Sequence, residues 1–203
     1  MTSVLNLTDV AAGFRDPARD SQSVFRKLMD CMARPGTIAD LAFAVDGPVG
    51  LDAAAAAVAL TLFDFETPVW LGPGLAGGAV ETWLRFHAGC PMARSPADAA
   101  FAVIPAHELP PLTAFNQGDA KYPDQSTTLI IQAAALNGGP VVTLEGPGVK
   151  GERSVAPVGL PTGFWDQVAE NNAQFQFGVD LVFVAGSMLT ALPRSTRVRP
   201  TGE

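Results

Sequence analysis

The stretch DSQSVFRKLMDCMARPG places apolar Val24, Phe25, Leu28, Met29 and Met32 at helical spacing, with Ser21 and Ser23 as candidate N-caps and Pro35 and Gly36 as a stop. That period is one face of a helix, so an amphipathic helix is predicted here. A second helix is predicted over 52–63, where alanines dominate LDAAAAAVALTLF and small side chains would let the helix lie close to a sheet. A third spans 77–87, with Val80, Leu84 and His87 at i, i+4 and i+7 on its core side. ETPVWLGPG reads as a short strand ending in a turn. AAFAVIP and STTLIIQAA are unbroken apolar runs bounded by breakers, the pattern of strands covered on both faces. GGPVVTLEGPGV is a further strand, entered and left through glycine. PTGFWDQVAENNAQF reads as a helix capped by Thr162. VDLVFVAGSMLTALP reads as two strands joined at Gly186 and Ser187 by a II′ turn.

Helices mixed with fully buried strands predict an α/β fold, a three-layer α/β/α sandwich with a mixed sheet. A chain of 203 residues with 48% hydrophobic content can fill one such core, so a single domain over 1–203 is expected, its core at about 21–198. The net charge of −7, with only Lys27, Lys121 and Lys150 as lysines, argues against nucleic acid as a partner, because phosphate contacts need clustered cations. The longest apolar stretch is alanine-dominated and too short for a bilayer, and no signal-peptide pattern opens the chain. A cytoplasmic protein with no membrane segment is expected. Cys31 and Cys90 match no metal-ligand spacing and read as small buried hydrophobes, so no metal site is expected.

Candidate chemistry gathers first in WLRFHAGCP, which holds Arg85, His87 and Cys90. Arg85 is either half of a surface pair with Glu81, four residues earlier, or a planar fork for a phosphate or carboxylate. His87 is either a last-turn histidine favoured by the helix dipole or a donor and proton-transfer group. Asp64 and Thr67 in LTLFDFETPVWL either cap the turn into a strand or project from a sheet edge. LEGPGVKGER lacks the Gly-Lys-Ser/Thr ending of a phosphate loop and reads as a turn. In LPRSTRVRP, Arg194 precedes Arg197 and Arg199, which alternation puts on one side of an edge strand. These are solvated edge charges or a site for an anionic ligand or acidic partner. No G-x-S-x-G, H-E-x-x-H, C-x-x-C or G-x-G-x-x-G pattern occurs, so no catalytic residue is assigned.

Taken in order, SVFRKLMDCMARPG, FDFETPVWL, WLRFHAGCP, TLIIQAAAL, VTLEGPGV, FGVDLVFV and LPRSTRV resemble the H subunit of the bacterial carbon-phosphorus lyase system, the PhnH family, from about Ser23 to Val198. The resemblance implies a homodimer, a fold similar to the large domain of pyridoxal-phosphate-dependent transferases, and no cofactor. It implies partner subunits G, I, J and L. With them a phosphonate is coupled to ATP, adenine is lost, and ribose 1-phosphonate 5-triphosphate forms. The later radical cleavage, with S-adenosylmethionine and an iron-sulfur cluster, would belong to the J subunit. Arg26, Asp64, Thr67, Arg85, His87 and Arg194 fall in segments that match the family and become candidates for substrate binding or an interface, with an anionic phosphonate or a nucleotide as the conceivable ligand. Two other readings stay open. One is a stand-alone enzyme acting on an anionic metabolite through Arg85, His87 and Arg194. The other is a pyridoxal-phosphate enzyme whose Schiff base would fall on Lys150.

Overall fold

The computed structural model describes residues 10–41, 45 and 47–200. Four helices run over Pro17–Ala33 (α1), Ala53–Leu62 (α2), Ala79–His87 (α3) and Phe164–Ala173 (α4). Six strands form the main sheet: β1 (Ala39–Asp40), β2 (Val69–Leu71), β3 (Phe101–Pro105), β4 (Thr128–Gln132), β7 (Asp180–Ala185) and β8 (Met188–Leu192). Their spatial order is β1-β8-β7-β4-β3-β2. Strands β2, β3, β4 and β7 are parallel, β8 runs against them, and β1, antiparallel to β8, runs with them again. A second, antiparallel sheet joins β6 (Arg153–Val155), β5 (Val142–Glu145) and β9 (Arg197–Pro200), with β5 in the middle. The sequence therefore anticipated an α/β fold with a mixed sheet. The finer picture of helices on both faces needs amendment, because the small sheet shares the second face with α4.

The apolar alternation of the strands divides the core between those faces. Val103, Ile130, Val182 and Leu189 meet α1, α2 and α3 on one side. Ile104, Leu129, Ile131, Leu181 and Phe183 meet α4, the small sheet and the loop carrying Leu112 and Phe115 on the other. In α2, Ala54 to Ala59 are all fully buried, and the Ala54 N–H donates to the Gly186 carbonyl at 2.9 Å. Only methyl-sized side chains permit that closeness, which is why the stretch is alanine-rich.

Local signals shift several boundaries. Helix α1 begins not at Ser21 or Ser23 but one turn earlier, at Pro17, because Asp16 caps it by accepting from the Arg19 N–H at 3.2 Å and proline suits the first helical position. Helix α4 has Gly163 at its N-cap with φ of 75°, so Thr162 is not the capping residue. The β7–β8 hairpin turns on Gly186 and Ser187, with positive φ at the glycine alone, as a II′ turn requires. The turn LEGPGVKGER closes a hairpin onto β6, a strand too short to show any periodicity.

Candidate functional site

Glu81 organises the outer face of α3. Its carboxylate accepts the Gly77 N–H at 2.8 Å and takes Arg85 Nε at 3.0 Å and Nη2 at 2.9 Å. The Arg85 side chain is still 60% exposed, so this pair contributes only a few tenths of a kcal/mol. Its free edge can reach a partner without unfolding anything. His87 behaves differently. Its Nε2 lies 2.9 Å from the Ala11 carbonyl, which can only accept, so Nε2 carries the proton. The Trp83 indole N–H donates to the same oxygen at 2.8 Å, and the His87 ring packs 4.8 Å from Trp83 and 4.9 Å from Phe86. The two rings fasten residues 10–14 to the end of α3, with Val10, Ala11 and Phe14 packed on the helical core.

Asp64 sits in the turn from α2 to β2. Its carboxylate accepts the Thr67 hydroxyl at 2.6 Å and the Glu66 N–H at 2.9 Å. The Thr67 hydroxyl first, and then the Glu66 amide, hold the Asp64 carboxyl below its usual range. Cys90 follows α3 and is buried, and burial pushes its thiol up while the Arg85 guanidinium and the Asp64 carboxylate pull in opposite senses. Arg85 and Asp64, to which Thr67 is bonded, therefore both lie within electrostatic reach of Cys90, near the amino end of β2. Cys31, also buried and free, is pushed up to about 11, chiefly by desolvation.

Arg194 lies elsewhere, beyond β8, beside the first residue of β7. Nε and Nη2 grip the two oxygens of Asp180 at 3.2 and 2.5 Å, and Nη1 donates to the Pro123 carbonyl at 2.7 Å. Both side chains are about 15% exposed or less, so the pair is largely shielded from solvent. Removing one member would strand the other, a far larger penalty than loss of a surface pair. Asp180 and β2 are separated by β4 and β3, so Arg194 stands roughly three strand spacings, about 14 Å, from the β2 neighbourhood. Arg26 is exposed on α1, apart from both. Of the six candidates, Asp64, Thr67 and Arg85 share the surroundings of Cys90, His87 binds Ala11 at the end of α3, and Arg26 and Arg194 lie on other elements.

Other polar residues escaped the sequence reading. Asp180 had a signal, since a carboxylate opening an apolar strand needs a cation when it folds inward. At the opposite, carboxyl edge of the sheet, Gln132 accepts the Asp52 N–H at 2.7 Å and donates to the Gly50 carbonyl at 3.0 Å. Desolvation raises the Asp52 carboxyl, opposed by a bond from Gly186. Their signal is distributed over 80 residues of chain and is invisible to local pattern. Lys150 is exposed in the loop between β5 and β6. Among the described residues no group of three His, Cys, Asp or Glu could hold a metal ion, and no helix is long and apolar enough to cross a membrane. The polar groups bind chain to chain.

Comparison with known proteins agrees with the segments singled out above. The family model described as bacterial phosphonate metabolism protein (PhnH) matches residues 12–199. A Rhizobium meliloti (strain 1021) protein named alpha-D-ribose 1-methylphosphonate 5-triphosphate synthase subunit PhnH is 42% identical over 189 residues, 93% of this chain and 94% of its own length. A Stutzerimonas stutzeri protein named as a C-P lyase subunit, HtxG, is 29% identical over 186 residues, 89% of this chain and 87% of its own.

Proposed function

The chain belongs to the family of bacterial phosphonate metabolism proteins, PhnH, and from that membership we propose that it is a non-autonomous subunit of the carbon-phosphorus lyase core assembly. With its partners it would couple a phosphonate to ATP with loss of adenine, giving ribose 1-phosphonate 5-triphosphate in phosphonate catabolism. The observation that carries this reading is the 42% identity, across nearly all of both chains, to a protein whose name makes it a subunit of such a synthase. The geometry supports the non-autonomous part. His87 is turned onto Ala11, Asp64 onto Thr67 and Arg194 onto Asp180, so each is engaged in holding the fold. Arg26 and Arg85, the exposed guanidiniums among them, are the ones suited to touch another molecule.

The same reading includes a homodimer, subunits G, I, J and L as partners, a cytoplasmic location, and a likeness to the large domain of pyridoxal-phosphate-dependent transferases without that cofactor. Its test is purification of the tagged chain, expressed in place of the native copy, from cells with methylphosphonate as sole phosphorus source. The other subunits of the assembly should come with it in fixed ratio. Recovery of the chain alone, together with conversion of methylphosphonate and ATP by that isolated chain, would establish a stand-alone enzyme instead.

A further inference from the structure

Helix α1 carries more apolar surface than its core can use. Val24, Leu28 and Cys31 are buried against the sheet side, while Phe25 and Met29 remain 47% and 48% exposed. With Met32, these two follow the i, i+4, i+7 spacing, so they form a ridge along the flank of the helix. Met32 is also a wall of an open cleft of about 470 Å³ whose other surfaces include Phe175, Pro193, Asp124 and the Arg194–Asp180 pair. Phe175 is 59% exposed beside it. Ridge and cleft are therefore one continuous surface, joined at Met32.

Within the cleft the charge has a definite sign. Arg194 and Asp180 neutralise each other, which leaves the exposed Asp124 carboxylate as the charge lining the cleft. Arg26 stands exposed on the ridge helix, while two cations nearer the cleft in sequence are occupied. Arg34 pairs with Asp30 at 2.8 Å, and Lys121 lies over the Tyr122 ring, 4.9 Å from its centroid. An anion entering here would meet Asp124 and a guanidinium with few donors left. A cation with a flat or aliphatic body would meet a carboxylate, an aromatic face and apolar walls. Guanidinium groups suit that combination, since they stack on rings and bind carboxylates with a planar fork.

We infer that this surface docks another subunit of the assembly, through a segment that lays apolar side chains along Phe25 and Met29 and inserts an arginine into the cleft between Phe175 and Asp124. The inference rests on the subunit reading above and specifies the partner's chemistry. A nucleoside or phosphonate would leave the ridge uncovered, whereas a protein segment covers ridge and cleft together. Arg194 is then a positioning residue, clasping the turn at Pro123 to the start of β7 so that the cleft keeps its shape.

The experiment replaces Phe175 with photoreactive p-benzoylphenylalanine in the full chain, in cells using methylphosphonate as phosphorus source. The expected product is a cross-link to a different subunit, at a segment with an arginine between apolar residues. Asp124→Arg and Phe175→Ala should each weaken assembly about tenfold or more without moving the thermal midpoint, since both side chains are exposed. Changing the partner arginine to aspartate should restore assembly with Asp124→Arg. A cross-link to a second copy of this chain, to a segment lacking arginine, or to no protein overturns the inference, as would adenosine protecting Phe175 from labelling. Normal assembly of both variants sinks only this surface and leaves the subunit reading standing. Absence of assembly by the unaltered chain would remove both.

Discussion

Thr67 donates to a fully exposed carboxylate, and that bond favours the ionised form of Asp64 in the folded state. A folded-state value below the ordinary 3.8 contributes stability that is present above 3.8 and lost as the pH falls through the folded value. Thr67→Val should therefore unfold at a lower temperature than the unaltered chain at neutral pH. The gap should close as the pH drops below about 3.8. A gap that persists unchanged in acid would show that Thr67 acts through packing instead. Asp52 has the opposite sign, because desolvation raises its carboxyl and the resulting stability is present below 3.8 and lost as the pH rises through the folded value. Asp52→Asn should raise the thermal midpoint at neutral pH and change little in strong acid. The sequence marked Asp64, Thr67, Arg85 and His87 as worth watching, and it left open whether they served structure or chemistry. The answer lay in partners that local pattern does not contain, such as the Ala11 carbonyl, 76 residues from His87.

At the scale of elements, the clearest readings were those in which one period dominates. The alanine helix, the buried parallel strands and the Gly186 hairpin were legible because burial on every side, or a required positive φ, leaves few alternatives. Helix α1 was legible as a helix but not in what it buries, since its apolar residues serve the core on one face and the exposed ridge on the next. The small sheet was not legible as a layer. Its strands are three or four residues long, two from one hairpin and the third from beyond β8, held by register with one another. That sheet is tied to α1 at one close approach. A Cβ on Gly148, whose φ is +77°, would lie 1.9 Å from the Ala33 carbonyl oxygen. Gly148→Ala must therefore push the β5–β6 loop away from the end of α1 while also adopting a backbone conformation that L side chains resist. The expected loss exceeds about 1 kcal/mol, read as an earlier denaturant midpoint, and Lys150→Ala in the same loop should change it little. Equal midpoints for Gly148→Ala and the unaltered chain would mean that the loop is not anchored there.

Across the whole molecule, the distribution of charge decides which ligands the isolated chain can hold. Acidic residues outnumber basic ones to give −7, and the guanidiniums that offset part of this are dispersed, several of them engaged. Arg34 is held by Asp30, Arg85 by Glu81, Arg194 by Asp180 and Arg199 by Glu145. Arg153 reaches Thr37 across the junction of α1 and the small sheet. At the carboxyl edge of the parallel strands, where open α/β sheets commonly take their ligands, Asp52 and Gln132 are set with Glu108, which accepts the Gly74 N–H at 2.9 Å. A triphosphate placed there would face the Asp52 and Glu108 carboxylates. The amino edge has cations, but the Asp180–Arg194 clasp stands about 14 Å from the neighbourhood of Arg85, so the two cannot close on one phosphate group. We therefore expect calorimetric titration of the isolated chain with ATP, tripolyphosphate or methylphosphonate to show no saturable binding at millimolar concentration. Anion binding should arise only in the assembly, where other chains supply the missing cations. A saturable site for any of these anions on the isolated chain, abolished by Arg85→Ala or Arg194→Ala while the fold persists, would show that a guanidinium leaves its carboxylate to serve a ligand. The stand-alone enzyme would then be the better account of this protein.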